Sequence, residues 1–257
     1  MCQKMCVPMY YPNKHDDLSS ENLHGAATAG EHVYCLSGLG ADHRIFNKLE
    51  IPETSFNHLD WLIPQQNDES LTDYAIRLSQ NIKHDNPVLI GVSFGGMMAI
   101  EIAKHIPVKA VILISSVKSY RELPTWMKIF GKCRAEYLVP TVPLKSIRPL
   151  SAIRPIQNYF LGANSPEEIE IANDFRDNVD PVYLKWSIRQ IFNWKNEWNP
   201  TRMFHIHGDK DKLFPLKKIK PTHVISQGGH FMVMSHWDQI NTILAGICAE
   251  LKATDMH

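Results

Sequence analysis

Short, mostly apolar runs punctuate this chain, and between them apolar residues recur at every third or fourth position. HVYCLS (32–37), PVLIGV (87–92), KAVILIS (109–115), RMFHIH (202–207) and THVIS (222–226) read as strands, with FNHLDWL (56–62) as another. PVLIGV and KAVILIS have the near-continuous apolar character of strands covered on both faces. Ser70 opens a helix: its hydroxyl caps free N–H groups, and Asp73 stands at the reciprocal capping-box position. Leu71, Tyr74, Ala75, Leu78 and Ile82 give that helix one apolar stripe. A second helix is predicted from Phe94 to His105, a short one from Arg44 to Leu49, and Ile240, Ile243, Leu244 and Ile247 stripe a C-terminal helix. Strand, helix and strand in succession imply right-handed parallel crossovers. The expected fold class is α/β, a mostly parallel central sheet flanked by helices.

Residues 117–198 break this rhythm. They hold Pro124, Pro140, Pro143, Pro149, Pro155, Pro166 and Pro181, and the large rings of Trp126, Phe130, Tyr137, Tyr159, Phe160, Trp186 and Trp194. Helices are predicted around 124–132, 166–178 and 181–193, and no strand stands out, so the segment reads as a helical insertion between two sheet strands. Residues 1–30, polar and broken by Pro8 and Pro12, read as an irregular leader. The expected organisation is a core of 31–116 and 199–257 interrupted by the insertion 117–198.

Composition narrows the function. The 257 residues are 44% hydrophobic, enough for a sizeable core, and no apolar stretch approaches the roughly 18 residues of a membrane span. Formal net charge is +0, without a long run of one sign, which argues against nucleic-acid or anionic-membrane partners. Five scattered cysteines contain no Cys-x-x-Cys pair and argue against a disulfide framework. The leader lacks the apolar core of a signal peptide, and the expected location is cytoplasmic.

Against that background GVSFGG (91–96) is conspicuous, because a lone serine sits between glycines where a strand gives way to a helix. A strained turn there projects Ser93 above the sheet, and glycine at positions 91 and 95 removes collisions two residues either side. A serine hydroxyl needs a base to take its proton and a third group to orient that base. His230, in QGGHF after a strand and before the last helix, stands apart among thirteen histidines by its loop position and its order after the serine. The strand-and-turn HIHGDKD (205–211) supplies the acid, with Asp211 preferred and Asp209 left as a turn former. His205, His207 and Asp209 also match the start of a two-metal motif, but Lys210 occupies the place of its next histidine, and no metal or cofactor is expected.

With these four motifs in order, residues 31–250 resemble the α/β-hydrolase superfamily. They are the GVSFGG elbow, the loop Leu36-Ser37-Gly38-Leu39-Gly40-Ala41-Asp42, the HGDKDKLFP turn and GGHF. The family's acid follows its strand as G-x-x-D, which falls on Asp211. The resemblance implies an oxyanion hole from the backbone amides of Phe94 and Leu39, although many members have His-Gly where this chain has Ser37-Gly38. It also implies that 117–198 is a cap. The expected activity is hydrolysis of a small or medium apolar carboxylic ester or thioester through Ser93, Asp211 and His230. The alternatives are a lyase, a peroxidase-like enzyme or a ligand receptor on the same fold, or an interaction module that uses the aromatic insertion. The insertion's aromatics are expected to close an apolar pocket, with more than half of them packing it onto the core. Phe94 and Met97 are pocket candidates, with core packing the expected role of Met97. Oligomeric state is not legible.

Overall fold

A computed structural model describes residues 32–52, 54–139 and 152–254. The predicted leader and residues 140–151 of the insertion, with Pro140, Pro143 and Pro149, lie outside the described residues. Six strands form one sheet: β1 (His32–Leu36), β2 (Ser55–His58), β3 (Val88–Val92), β4 (Ala110–Ile114), β5 (Met203–Gly208) and β6 (His223–Ile225). Their order is β2-β1-β3-β4-β5-β6, and each neighbouring pair is parallel. Every residue of β3 and β4 is buried. Successive side chains of a strand leave the sheet on opposite faces. Leu89, Val111 and Leu113 therefore join one apolar cluster, while Val88, Ile90, Ile112 and Ile114 join the other. That double burial is why these strands read as apolar runs rather than as alternation.

Helices α1 (Leu71–Ser79), α2 (Phe94–Ala103) and α8 (Trp237–Thr254) flank the sheet, with the short α7 (Met232–Ser235) before the last. Ser70 caps α1 as expected, but Asp73 does not reach back to the cap's own N–H. Its carboxylate accepts from the Ser70 hydroxyl at 2.7 Å, as suits a side chain one methylene shorter than the usual Glu. The expected helix at 44–49 is a single 3-10 turn, His43–Phe46, capped by Asp42. The strand expected over 56–62 ends at His58, because Leu59, Trp61 and Leu62 turn inward and are buried.

Between β4 and β5 lie α3 (Thr125–Lys132), α4 (Arg154–Leu161), α5 (Pro166–Asn178) and α6 (Pro181–Asn193). Three of the four match the expected helices. The pattern missed α4, whose Pro155 reads as a breaker although it sits in the first turn, where proline costs no hydrogen bond. Ser165 and Glu168 form a full capping box on α5, and Asp180 caps α6. The strand order reverses between β1 and β3, so the loops after these two strands diverge and leave a crevice at the sheet's C-terminal edge.

Candidate active site

β3 ends in the turn carrying Ser93, whose backbone has φ +53° and ψ −117°. An L residue enters this region only when its surroundings hold it there. The Ser93 amide donates to the Ile114 carbonyl at 3.0 Å, and Ser116 Oγ donates to the Ser93 carbonyl at 2.6 Å. A Cβ on Gly91 would lie 2.4 Å from the Gly95 oxygen, a collision inside the turn. At Gly95 it would lie 2.2 Å from the Leu36 oxygen, so that glycine makes room for the end of β1 rather than for the turn itself. Gly96, unremarked in the sequence, is pressed against Ser116 in the same way.

Above this turn the hydroxyl of Ser93 donates to His230 Nε2 at 2.9 Å. His230 Nδ1 donates in turn to Asp211 Oδ2 at 2.8 Å, and both the imidazole and the carboxyl are buried. Asp211 Oδ1 accepts from the amides of Leu213 and Phe214, each at 2.8 Å. Burial pushes the Asp211 carboxyl up, but the charge and hydrogen bond of His230, with His207 and the Phe214 amide, outweigh it and hold the group below the usual range. An ionised Asp211 can only accept, so the His230 proton sits on Nδ1 and leaves Nε2 open towards Ser93.

Glycines bring the two loops that supply this pair together. A Cβ on Gly208 would stand 2.1 Å from the Gly228 oxygen, and the Lys210 amide donates to that same oxygen at 2.9 Å. Asp209 spends its carboxylate on the Gln227 amide, 2.8 Å away, and so braces the turn. His205 and His207 also point elsewhere. Their Nε2 atoms donate to the main-chain oxygens of Ser116 and Phe214, at 3.1 and 2.8 Å. Among the described residues no group of three or more ligating side chains is arranged to hold a metal ion. Burial pushes both imidazoles down, His205 to about 3, and at His207 the Asp211 carboxylate 3.5 Å away only partly opposes this.

The loop after β1 lies against the serine: a Cβ on Gly38 would stand 3.7 Å from that of Ser93. Ser37 Oγ donates to the Ala41 carbonyl at 2.6 Å and accepts from the Trp61 indole at 2.9 Å, which pins the loop from both sides. Trp61 was not legible as a site residue, because only the fold carries it from β2 back over β1. Among the described residues, neither the Leu39 nor the Phe94 amide donates to a protein acceptor.

Ser93 and His230 open on a cavity of about 290 Å³. Leu39, Val92, Phe214 and Phe231 line it from the sheet side, and Met127, Leu161, Phe175, Arg176, Leu184 and Ile191 line it from the insertion. The expectation for the seven aromatics of the insertion is corrected here. Trp126, Phe130, Tyr137, Tyr159 and Phe160 face outward, between 42% and 63% exposed, and only Trp186 and Trp194 are buried. None of the seven lines the cavity, which Met127, Leu161, Phe175, Leu184 and Ile191 face instead. Phe94 and Met97 both pack into the core cluster and take no part in the lining. The Phe231 amide donates to the Leu161 carbonyl at 2.9 Å, tying the His230 loop to the end of α4.

A model of the alpha/beta hydrolase family matches residues 10–243. The chain belongs to this family. Solved structures with the fold of this α/β hydrolase include MenH from S. aureus, 18% identical with a TM-score of 0.65, covering 86% of this chain and 94% of that one. An esterase from Exiguobacterium antarcticum is 16% identical with a TM-score of 0.64, over 86% of this chain and 92% of its own. A bromoperoxidase from Bacillus anthracis is 17% identical with a TM-score of 0.60, over 84% and 91%. At such identities the likeness establishes the fold of the hydrolase. No curated protein matches its sequence. Among the described residues no helix is long and apolar enough to cross a membrane.

Proposed function

We propose that this α/β hydrolase cleaves a small or medium carboxylic ester or thioester with an apolar acyl or alkyl part. The observation that carries the reading is the unbroken hydrogen-bonded line from Ser93 Oγ through His230 to Asp211, at the wall of an apolar cavity. His230 Nε2 takes the serine proton as Oγ attacks the carbonyl. Asp211 keeps the imidazole in the tautomer this requires and stabilises the imidazolium, without taking the proton itself. The Phe94 and Leu39 amides receive the developing oxyanion, and such donors are each worth about 10²–10³ in rate. The imidazolium protonates the leaving alcohol or thiol. A water deprotonated by His230 then releases the acid and restores the serine.

We read 117–198 as a cap over this cavity, which excludes polymers and folded proteins and favours a small-molecule substrate. The reaction needs no cofactor. The scattered cysteines and the lack of a membrane-crossing helix among the described residues support a cytoplasmic location. Esterases, MenH and a bromoperoxidase share the fold alike, so the ester reading rests on the Ser93–His230–Asp211 line and the apolar cavity. Labelling with a fluorophosphonate tests the assignment: the wild type should label stoichiometrically, and a folded Ser93→Ala variant should neither label nor hydrolyse esters. An alanine variant that still labels overturns it.

A further inference from the structure

One cation interrupts the apolar lining of the cavity. Arg176, on α5, is half-buried, and its Nη2 donates to Asn158 and, at 2.9 Å, to Asn173. Both partners are neutral amides, so they orient the guanidinium without cancelling its charge. Its Nε is buried with no hydrogen-bond partner among the described residues. The two carboxylates nearest it on the same helix each have another partner. Asp177 pairs with Arg154, and Asp174 lies 2.6 Å from Arg44. Burial pushes the Arg176 guanidinium down, Arg154 adds to this, and Asp177 only partly opposes it. An uncompensated charge in such a place is costly, and one partner of opposite sign removes the cost.

We propose that Arg176 recognises a carboxylate on the substrate, so that the ester or thioester cleaved here is one whose apolar chain also carries a free carboxylate. The identity of the reaction rests on the hydrolase reading above; the anion site does not. A single arginine in the lining of an otherwise apolar pocket matches a single negative charge. With both Nη2 protons committed to Asn158 and Asn173, Nη1 is left to donate to a carboxylate. With Ser93 and Arg176 on the same cavity, the carboxylate binds at the insertion while the ester carbonyl meets the sheet edge. The products are then a dicarboxylic acid and an alcohol or thiol, if the free carboxylate is on the acyl side.

Arg176 also ties α4 to α5, and a purely structural role has to be separated from recognition. Isothermal titration of Ser93→Ala protein with monomethyl adipate and with dimethyl adipate does this without relying on turnover. The monoester should bind about 10- to 100-fold more tightly, the range of a charge-assisted hydrogen-bonded pair. In the same background Arg176→Gln should erase that preference while dimethyl adipate binds as before, and Arg176→Lys should keep part of it. Equal affinity for the two esters, no binding of either, or a preference that survives Arg176→Gln overturns the proposal. So does loss of both affinities together in a folded Arg176→Gln variant. Failure of the hydrolase reading would appear separately, as absent serine labelling with the binding preference intact.

Discussion

The strands around Ser93 and the helices of the insertion face each other across one cavity, yet they are built by different rules. On the sheet side, β3 and β4 are wholly buried, and backbones approach so closely that a single added carbon at Gly91, Gly95 or Gly208 would sit 2.1–2.4 Å from a main-chain oxygen. On the insertion side, five large aromatics face solvent, and the cavity wall is made of apolar side chains, Phe175 among them, with one arginine. Groups that must hold a hydroxyl within tenths of an ångström of an imidazole sit on the rigid side. The helices offer a surface where side chains can change without moving a backbone. On the proposed reading, reaction chemistry belongs to the sheet edge and selectivity to the helices.

The hardest test of that division is at the carboxylates. Asp211→Asn should lower turnover by about 10⁴, because an amide can donate to His230 and favour the wrong tautomer. Asp209→Asn, which touches only the Gln227 amide, should cost less than about tenfold. Rates measured at matched folded yield decide it, and the reverse ranking would move the acid to Asp209.

Next in size is the packing of the elbow. Gly95→Ala places a methyl group against the fixed carbonyls of Leu36 and Ser37, and should cost about 3 kcal/mol or more in urea unfolding. Gly246→Ala, on α8 with nothing within 4 Å of the new carbon, should instead stabilise by up to about 1 kcal/mol. Similar values for the two would refute the picture of a rigid sheet edge.

An effect graded by pH comes from His205 beneath the site. Burial holds it neutral in the folded protein down to about pH 3, whereas in the unfolded chain it protonates near 6.5. Between these values the unfolded state binds the extra proton, so stability rises with pH from about 3 to about 6.5 and falls on acidification. His205→Leu should flatten this acid limb in urea midpoints taken at several pH values. An unchanged slope would remove His205 as its source. Least of all should come from the outer face of the insertion. Phe160→Ser, at a side chain 46% exposed and outside the cavity, should shift stability by no more than about 0.5 kcal/mol and leave kcat/KM unchanged. A larger loss of activity would show that the outer aromatics shape the site after all.

The parts legible in the sequence were those governed by local rules. β3 and β4 were readable because burial on both faces leaves no polar position. α5 and α6 were readable because serine and aspartate stand at their caps, with proline just after. GVSFGG was readable because the turn after a strand demands glycine within its own span. α4 carries no such signal, because its N-cap is Ile153, whose side chain caps nothing. The outward rings of the insertion were misjudged because hydrophobicity records an amount of apolar surface, not the direction it faces.

The order of Ser93, Asp211 and His230, the apolar run before each and the glycine at 91 are legible in the sequence alone. Short-range sterics inside the turn require Gly91 wherever the chain goes. The parallel order β2-β1-β3-β4-β5-β6 decided the rest. It brought the loop after β1 against the elbow, so that Gly95 has to clear Leu36 and Trp61 returns to hold Ser37. It also set α5 on the same cavity as the serine, with Arg176 in the lining. Contacts between residues tens to hundreds of positions apart have no local signature. Their energies come from which surfaces meet, and only the closed fold decides that.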